Sequence, residues 1–361
     1  MASSQLKAVG PVVVAPGGWV EIDRPIVLRN SIANIIRGDG TTNLRYVGPP
    51  TKAVIQFDNC QRCRVEGIAE IHCGQAESGI VLTASNESPI SVNDNIIDGP
   101  IISGGEYGIV IGDGVAKSIS ENTISNVQLH GRKAGLRIES GNGQNIYLDR
   151  VRINGCPIGI DLINGGLQDR GGIITYCETG IRIGRINNVA ILSGSYSEGC
   201  TRYIETADPH STNPGQLTLT GCHVQGEIRW GMPGPLMITG CEIDGKIYAG
   251  GQFLTPVTAF GTTFLDGNPF VRMNDTGTFL AIGCQQRIQA EAGPVYRPIT
   301  SFQFASETGL AAEMLSWGPS SARGLKFATL YGKKWTHFVW DGGGRIGGGE
   351  MMTEWPPAKR Q

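Results

Sequence analysis

Long apolar runs are missing from this chain of 361 residues. No stretch approaches the ~18–20 residues that a membrane-spanning helix needs, so membrane insertion is not expected. An excess of one charge is missing as well. The formal net charge is −2, charged residues make up 17%, and neither sign forms a block. A general nucleic-acid binder shows a basic face, so nucleic acid is not an expected partner. Helix-favouring runs of Ala, Glu, Lys and Leu are nearly absent, which directs the reading toward strands and turns. The opening "MASSQLKAVGPVVVAPGG" has neither the charged nor the long apolar region of a secretory signal. The expectation is a soluble protein made without the usual export route.

Glycine is plentiful, at 53 residues, and keeps no collagen-like period of three. Hydrophobic content of 40% leaves enough material for a core. Nine cysteines are an odd number spread along a long chain, unlike a short and evenly paired disulfide framework. "CQRC" at 60–63 has no matching second pair, so no metal site is expected. "GGGRIGGG" at 342–349 lacks Walker spacing, and no cofactor is expected.

"LTGCHVQGEI" at 219–228 returns nineteen residues later as "ITGCEIDGKI". Cys156, Cys177, Cys200, Cys222, Cys241 and Cys284 follow at steps of 21, 23, 22, 19 and 43, with Thr262 filling the gap in the last. Earlier marks are Arg132, Gly105 and Cys73. Apolar pairs of period two flank the marks: Val127/Leu129 and Val151/Ile153 before, Leu136/Ile138 and Ile160/Leu162 after. Each pair is one face of a short strand. Strands repeated every ~20–24 residues, with glycine bends and no helix between, predict an all-β right-handed single-stranded parallel β-helix of about 10–12 coils. At ~4.8 Å per coil the rod is about 55–60 Å long. The leucine-rich consensus is missing, and a propeller blade needs about 40 residues. The cysteines then read as one inward column at a bend, chosen as small hydrophobes. Asn95, Asn122, Asn145 and Asn188 read as a polar column whose amides bond from coil to coil.

Between the inward residues of the second strand lies an outward column: Val81, Val110, Arg137, Asp161, Arg182, Glu205, Arg229 and Tyr248. Five of these alternate in charge, which predicts a ladder of exposed ion pairs or a strip that binds a charged polysaccharide. Glycosidic hydrolysis needs two carboxyls. The candidate catalytic pairs are Glu178 with Glu198 on adjacent coils, and Asp161 with Glu205 with one coil between. For a lyase, Arg182 with Glu178 is the local candidate. Arg182 and Arg229 are candidate glycan contacts.

Residues 16–48, "PGGWVEIDRPIVLRNSIANIIRGDGTTNLRYVG", resemble the opening coils of pectate-lyase-like β-helix proteins. The turn Gly38, Asp39, Gly40, Thr41, Thr42, Asn43, Leu44 matches their glycine-rich turn, and "RPIVL" with "LRYVG" looks most like bacteriophage tailspike and tail-fibre proteins. The resemblance implies a virion attachment protein, located on the virion, with three classes of partner: further copies of itself in a homotrimer, other virion proteins, and host-surface polysaccharide. An active polysaccharide depolymerase and a non-catalytic fibre, collar or head-decoration protein are the alternatives. The family's Asp-Asp-Thr cap, the pectate-lyase histidine motif and the Gly-His-Gly of polygalacturonases are missing, so no family catalytic residue transfers to a position here.

Three segments follow: a lead-in or attachment segment at 1–15, the β-helix at 16–288, and a β-rich cap or trimerisation region at 289–361. In the last, apolar and polar residues alternate as in antiparallel strands. Four of the six tryptophans fall there, Trp317, Trp335, Trp340 and Trp355. They suit a cap and trimer contact or, for Trp335 and Trp340, glycan binding by exposed aromatics.

Overall fold

The computed structural model describes residues 12–13, 17–84, 92–112, 119–140, 145–187, 189–208, 211–266, 269–273, 276–290, 293–305, 311–317, 324–331, 334–340 and 346–348, with side chains described between 17 and 287. Every regular element in this set is a β-strand. No helix among the described residues is long and apolar enough to cross a membrane. The lead-in at 1–15, apart from the strand Val12–Val13, lies outside the described residues, as do Asn188 and Trp355.

One coil shows the plan. Ile146–Asp149 lies on a first face, Arg152–Asn154 on a second and Ile158–Asn164 on a third. Each pairs in parallel with the same face of the next coil, at Leu167–Arg170, Ile173–Thr175 and Thr179–Ile183. On the third face this pairing runs through 26–29, 51–58, 76–83, 107–111, 134–138, 158–162, 179–183, 202–206, 227–230, 247–249 and 270–272. The chain is therefore a parallel β-helix with the number of coils that the repeat predicts.

Register follows from burial. The inward positions of the third face stack as Ile26, Ile55, Ile80, Ile109, Leu136, Ile160, Ile181, Ile204, Ile228, Ile247 and Phe270. A one-residue slip would turn all of them outward, and each fully buried side chain contributes about 1.5–3 kcal/mol. β-branched isoleucine suits a pleated surface covered by like neighbours.

The corners obey a local rule. From the first face to the second, the chain turns through one residue in the left-handed region and then one small inward residue. Gly194, Gly221, Gly240, Gly261 and Gly283 have φ of 53–63°, and Ser195, Cys222, Cys241, Thr262 and Cys284 follow them, all buried. Glycine takes that backbone without a steric penalty. The corner from the second face to the third uses the same step, with Gly155 and Gly199 at φ 66° and 64° before Cys156 and Cys200.

This corrects the cysteine column. Cys156, Cys177 and Cys200 stand at the second corner, directly after the strands Arg152–Asn154, Ile173–Thr175 and Tyr196–Glu198. Cys222, Cys241 and Cys284 stand at the first corner, just before 223–225, 242–244 and 285–286. There they continue a column occupied below by Val127, Val151, Gly172 and Ser195, as the amide bonds Arg152 N–Val127 O, Ile173 N–Val151 O, Tyr196 N–Gly172 O, His223 N–Ser195 O and Glu242 N–Cys222 O show. These six cysteines form two stacks. All nine cysteines are buried and free, so packing accounts for them.

The asparagine column is shorter than predicted. Asn95 Nδ2 donates to Asn122 Oδ1 at 2.9 Å, and Asn122 Nδ2 donates to Val92 O and Ser120 O at 3.1 and 3.0 Å. Below them the place is taken by Cys63, whose amide donates to Asn95 Oδ1 at 2.9 Å. Asn145 is only half-buried and accepts from Gln168 instead.

In the turn at 38–44, Asp39 Oδ1 accepts from the Thr41 amide and from both threonine hydroxyls, each at 2.9 Å. Those bonds hold its carboxyl below the usual range. Gly38 lies so near Gly67 of the next coil that a Cβ would stand 2.3 Å from Gly67 O. At the other end Gly277–Ala290 pairs in parallel with 255–260 and antiparallel with Gly293–Ala305. An antiparallel meander follows through Ala311–Trp317, Gly324–Tyr331, Lys334–Trp340 and Ile346–Gly348, as the alternation there predicts.

Candidate functional site

The outward column of the third face is ordered as read. Val81, Val110, Arg137, Asp161, Arg182, Glu205, Arg229 and Tyr248 are successive register partners. The ion pairing differs from a continuous ladder. Arg182 holds Asp161 with two bonds, Nε to Oδ1 at 2.9 Å and Nη2 to Oδ2 at 2.8 Å. The others pair within their own strand: Arg137 with Glu139, Glu205 with Arg202 and Arg229 with Glu227. Side chains two apart on one strand point the same way, so for Arg137 and Arg229 a nearer partner pre-empts the neighbouring coil; Arg202 and Glu205 are three apart, across an irregularity in the register between Arg202 and Ile204. Arg137 also donates to the Tyr107 hydroxyl at 2.7 Å, and the Arg229 guanidinium lies 5.2 Å from the centre of the Tyr248 ring.

Asp161 and Glu205 lie on either side of Arg182 in this column, two rungs apart. Asp161 is 4% exposed and gives both oxygens to Arg182. Glu205 accepts from Arg202 at 3.2 Å and Thr179 at 3.3 Å. Both carboxylates are thus engaged by an arginine of the chain. Lower on the same face, Lys52, Glu77, Val81, Tyr107, Val110 and Arg137 border a cleft of about 160 Å³.

Glu178 and Glu198 lie at the second corner. Glu198 is the register partner of Thr175, and the Glu178 carbonyl accepts from the Arg202 amide at 3.0 Å, so the two carboxylates belong to different columns. Glu198 is fixed by aromatics. The Tyr196 hydroxyl donates to Oε2 at 3.1 Å, and the Tyr176 hydroxyl lies 3.5 Å from Oε1. The bond to Glu198 holds the Tyr196 phenol above its usual range, keeping it a donor. The Tyr196 ring stacks on His223 with centroids 5.0 Å apart and planes 12° from parallel, and His223 Nδ1 lies 3.3 Å from Glu242 Oε1.

A cleft of about 360 Å³ opens at the same corner beneath these residues, lined by Gly104, Gly105, His130, Gly131, Arg132, Gly155 and Pro157. His130 Nδ1 meets Asn154 O at 3.1 Å, and its Nε2 meets Gln128 Nε2 at 2.8 Å. A carbonyl only accepts, so Nδ1 is the donor in the first of these contacts. Arg132 is exposed and makes no ion pair with a described residue. With four glycines in its wall, the cleft lets a ligand approach backbone closely.

Tyr176, Tyr196 and His130 escaped the reading of the sequence, and Arg132 entered it only as a mark of the repeat. One signal was present: the steps "NGC" and "EGC" at 154–156 and 198–200 enclose "TYC" at 175–177, a tyrosine where the bend takes glycine. Trp335 and Trp340 fall in the strand Lys334–Trp340, and their side chains lie outside the described set. Among the described residues no group of three His, Cys, Asp or Glu side chains could hold a metal ion.

No family model matches the sequence, and no curated protein matches it. Among solved structures, the chain is similar to the full-length tailspike protein 2 from an Escherichia coli O157:H7 bacteriophage, at 10% identity and a TM-score of 0.36, covering 93% of this chain and 63% of that one. It is also similar to the enzymatically active domain of bacteriophage CBA120 tailspike protein 2, at 10% identity and a TM-score of 0.31, covering 93% and 71%. The chain thus spans less than two thirds of the full-length tailspike.

Proposed function

We propose that this chain is a virion attachment protein of the tailspike kind that recognises a host-surface polysaccharide, acting as a homotrimer joined to other virion proteins. The observation that carries the reading is the open cleft at the second corner, about 360 Å³, with its glycine wall and exposed Arg132. It lies along a rod whose coils are locked by parallel pairing, so an extended polymer can bind without rearranging backbone. Arg132 supplies a charge-assisted donor for a carboxylate, sulfate or phosphate on the polymer. The resemblance of residues 16–48 to tailspike openings supports the same reading.

The test is a binding titration against capsular polysaccharides and lipopolysaccharide O-chains from candidate hosts. The expected result is saturable binding that Arg132→Ala weakens by about tenfold. Absence of binding across the panel would sink the proposal and favour a purely structural fibre. A depolymerase is the second reading, favoured by Glu198, which two tyrosines hold on the same face two coils above Asn154 at the cleft's edge. It requires release of reducing ends or unsaturated uronate products, lost in Glu198→Gln and Glu178→Gln.

A further inference from the structure

The second corner takes glycine at its left-handed position in coils on either side of Tyr176: Gly155 at φ 66° and Gly199 at φ 64°. Tyr176 itself has φ 53°. A Cβ in that region is pressed against the following carbonyl, and for a bulky side chain the conformation is an outlier. Among the described residues ten non-glycine positions share it, and the other nine are Asn, Asp, Glu, Arg or Ala. Burial of the ring does not explain the choice, since Tyr176 is 63% exposed. The ring leans on Gly199, where a Cβ would stand 2.6 Å from Cδ1, so the next coil is shaped to accommodate it. On the coil below, nothing stands within 4 Å of the place a Cβ on Gly155 would take, and Gly155 borders the cleft. Strain held at an exposed site that packing does not require points to function.

We infer that Tyr176 and Glu198 form a stacking subsite for an uncharged pyranose ring of the bound polysaccharide. The inference rests on the polysaccharide reading above. An exposed tyrosine offers an apolar face with a polar tip, and a pyranose offers a C–H face bordered by hydroxyls. Glu198, oriented by Tyr196 at 3.1 Å and Tyr176 at 3.5 Å, keeps acceptor capacity for those hydroxyls. Its charge opposes a uronate at this subsite, so an acidic residue of the polymer belongs in the cleft at Arg132. The open space over Gly155 connects the two.

The experiment compares wild type, Tyr176→Gly, Tyr176→Phe and Arg132→Ala in binding to capsular polysaccharides and O-chains, with methyl pyranosides and methyl uronides as competitors, alongside thermal unfolding. The expected result is that Tyr176→Gly binds about tenfold more weakly or worse while its Tm equals or exceeds that of wild type. Tyr176→Phe retains most of the affinity, and neutral methyl pyranosides compete better than uronides at this subsite. Binding by Tyr176→Gly equal to wild type overturns the inference, and if Arg132→Ala is weakened in the same assay the cleft reading survives it. A Tm lowered by several degrees, or failure to fold, in Tyr176→Gly shows the ring to be structural and overturns the subsite. Silence of the wild type on the whole panel overturns both.

Discussion

Asp169 occupies an inward position of the first face, between Leu148 on one neighbouring coil and Leu192 on the other, and is 3% exposed. Ser195 Oγ donates to its Oδ2 at 2.5 Å. Room comes from Gly172, where a Cβ would stand 2.5 Å from both carboxylate oxygens. Burial pushes the carboxyl up to about 6, against the Ser195 hydrogen bond. An unfolded aspartate titrates near 3.9. Because the folded value is the higher one, the group favours the folded state most below about pH 4, and that contribution is lost as pH rises through about 6. The span amounts to about 3 kcal/mol. Asp169→Asn keeps an acceptor for Ser195 and removes the charge. Denaturant midpoints measured from pH 4 to pH 8 are expected to lose most of their decline across that window, with the variant the more stable protein at pH 8. An unchanged slope would assign the titration elsewhere. Nothing in the residue pattern marked Asp169 as buried, because a lone aspartate in a strand reads as outward.

At the scale of the strand and its neighbours, the outward column of the third face was legible position by position, since period-two alternation survives every coil. The cysteine register was not. Both corners use a left-handed residue followed by a small inward one, so "Gly-Cys" looks the same at either. The long connection 207–215, between the strands Arg202–Thr206 and Gln216–Thr220, makes the step from Cys200 to Cys222 match a coil by coincidence. Pairing within the column was equally hidden, because it depends on which partner a guanidinium reaches first. That difference has an energetic consequence. Arg182→Ala leaves Asp161, with its side chain 6% exposed, without a counter-charge, at a cost of about 3 kcal/mol. Arg229→Ala frees Glu227, 31% exposed, and costs less than about 1 kcal/mol. Equilibrium denaturation of the two variants should separate them by that margin; equal losses would mean the Asp161–Arg182 bond is no stronger than a surface pair.

For the molecule as a whole, the last parallel strand is also the first strand of the antiparallel meander. That junction closes an edge that would otherwise present unpaired amides and carbonyls to another chain. A chain ending at residue 288 is expected to elute as aggregate or high oligomer in size-exclusion chromatography with light scattering. The full chain, at 38.5 kDa, is expected at about three times that mass if the trimer proposal holds. A truncated chain that stays monomeric and soluble would remove the capping role from residues 289–361.

The alternation of inward isoleucine with outward Arg, Asp, Glu or Tyr on the same short segments separates two kinds of heritable change. Substitutions at the exposed outer positions alter what the surface can grip and leave the interior untouched, the Asp161–Arg182 pair excepted. A lineage carrying this rod could therefore revise its adhesive chemistry one storey at a time, without renegotiating the shaft that displays it.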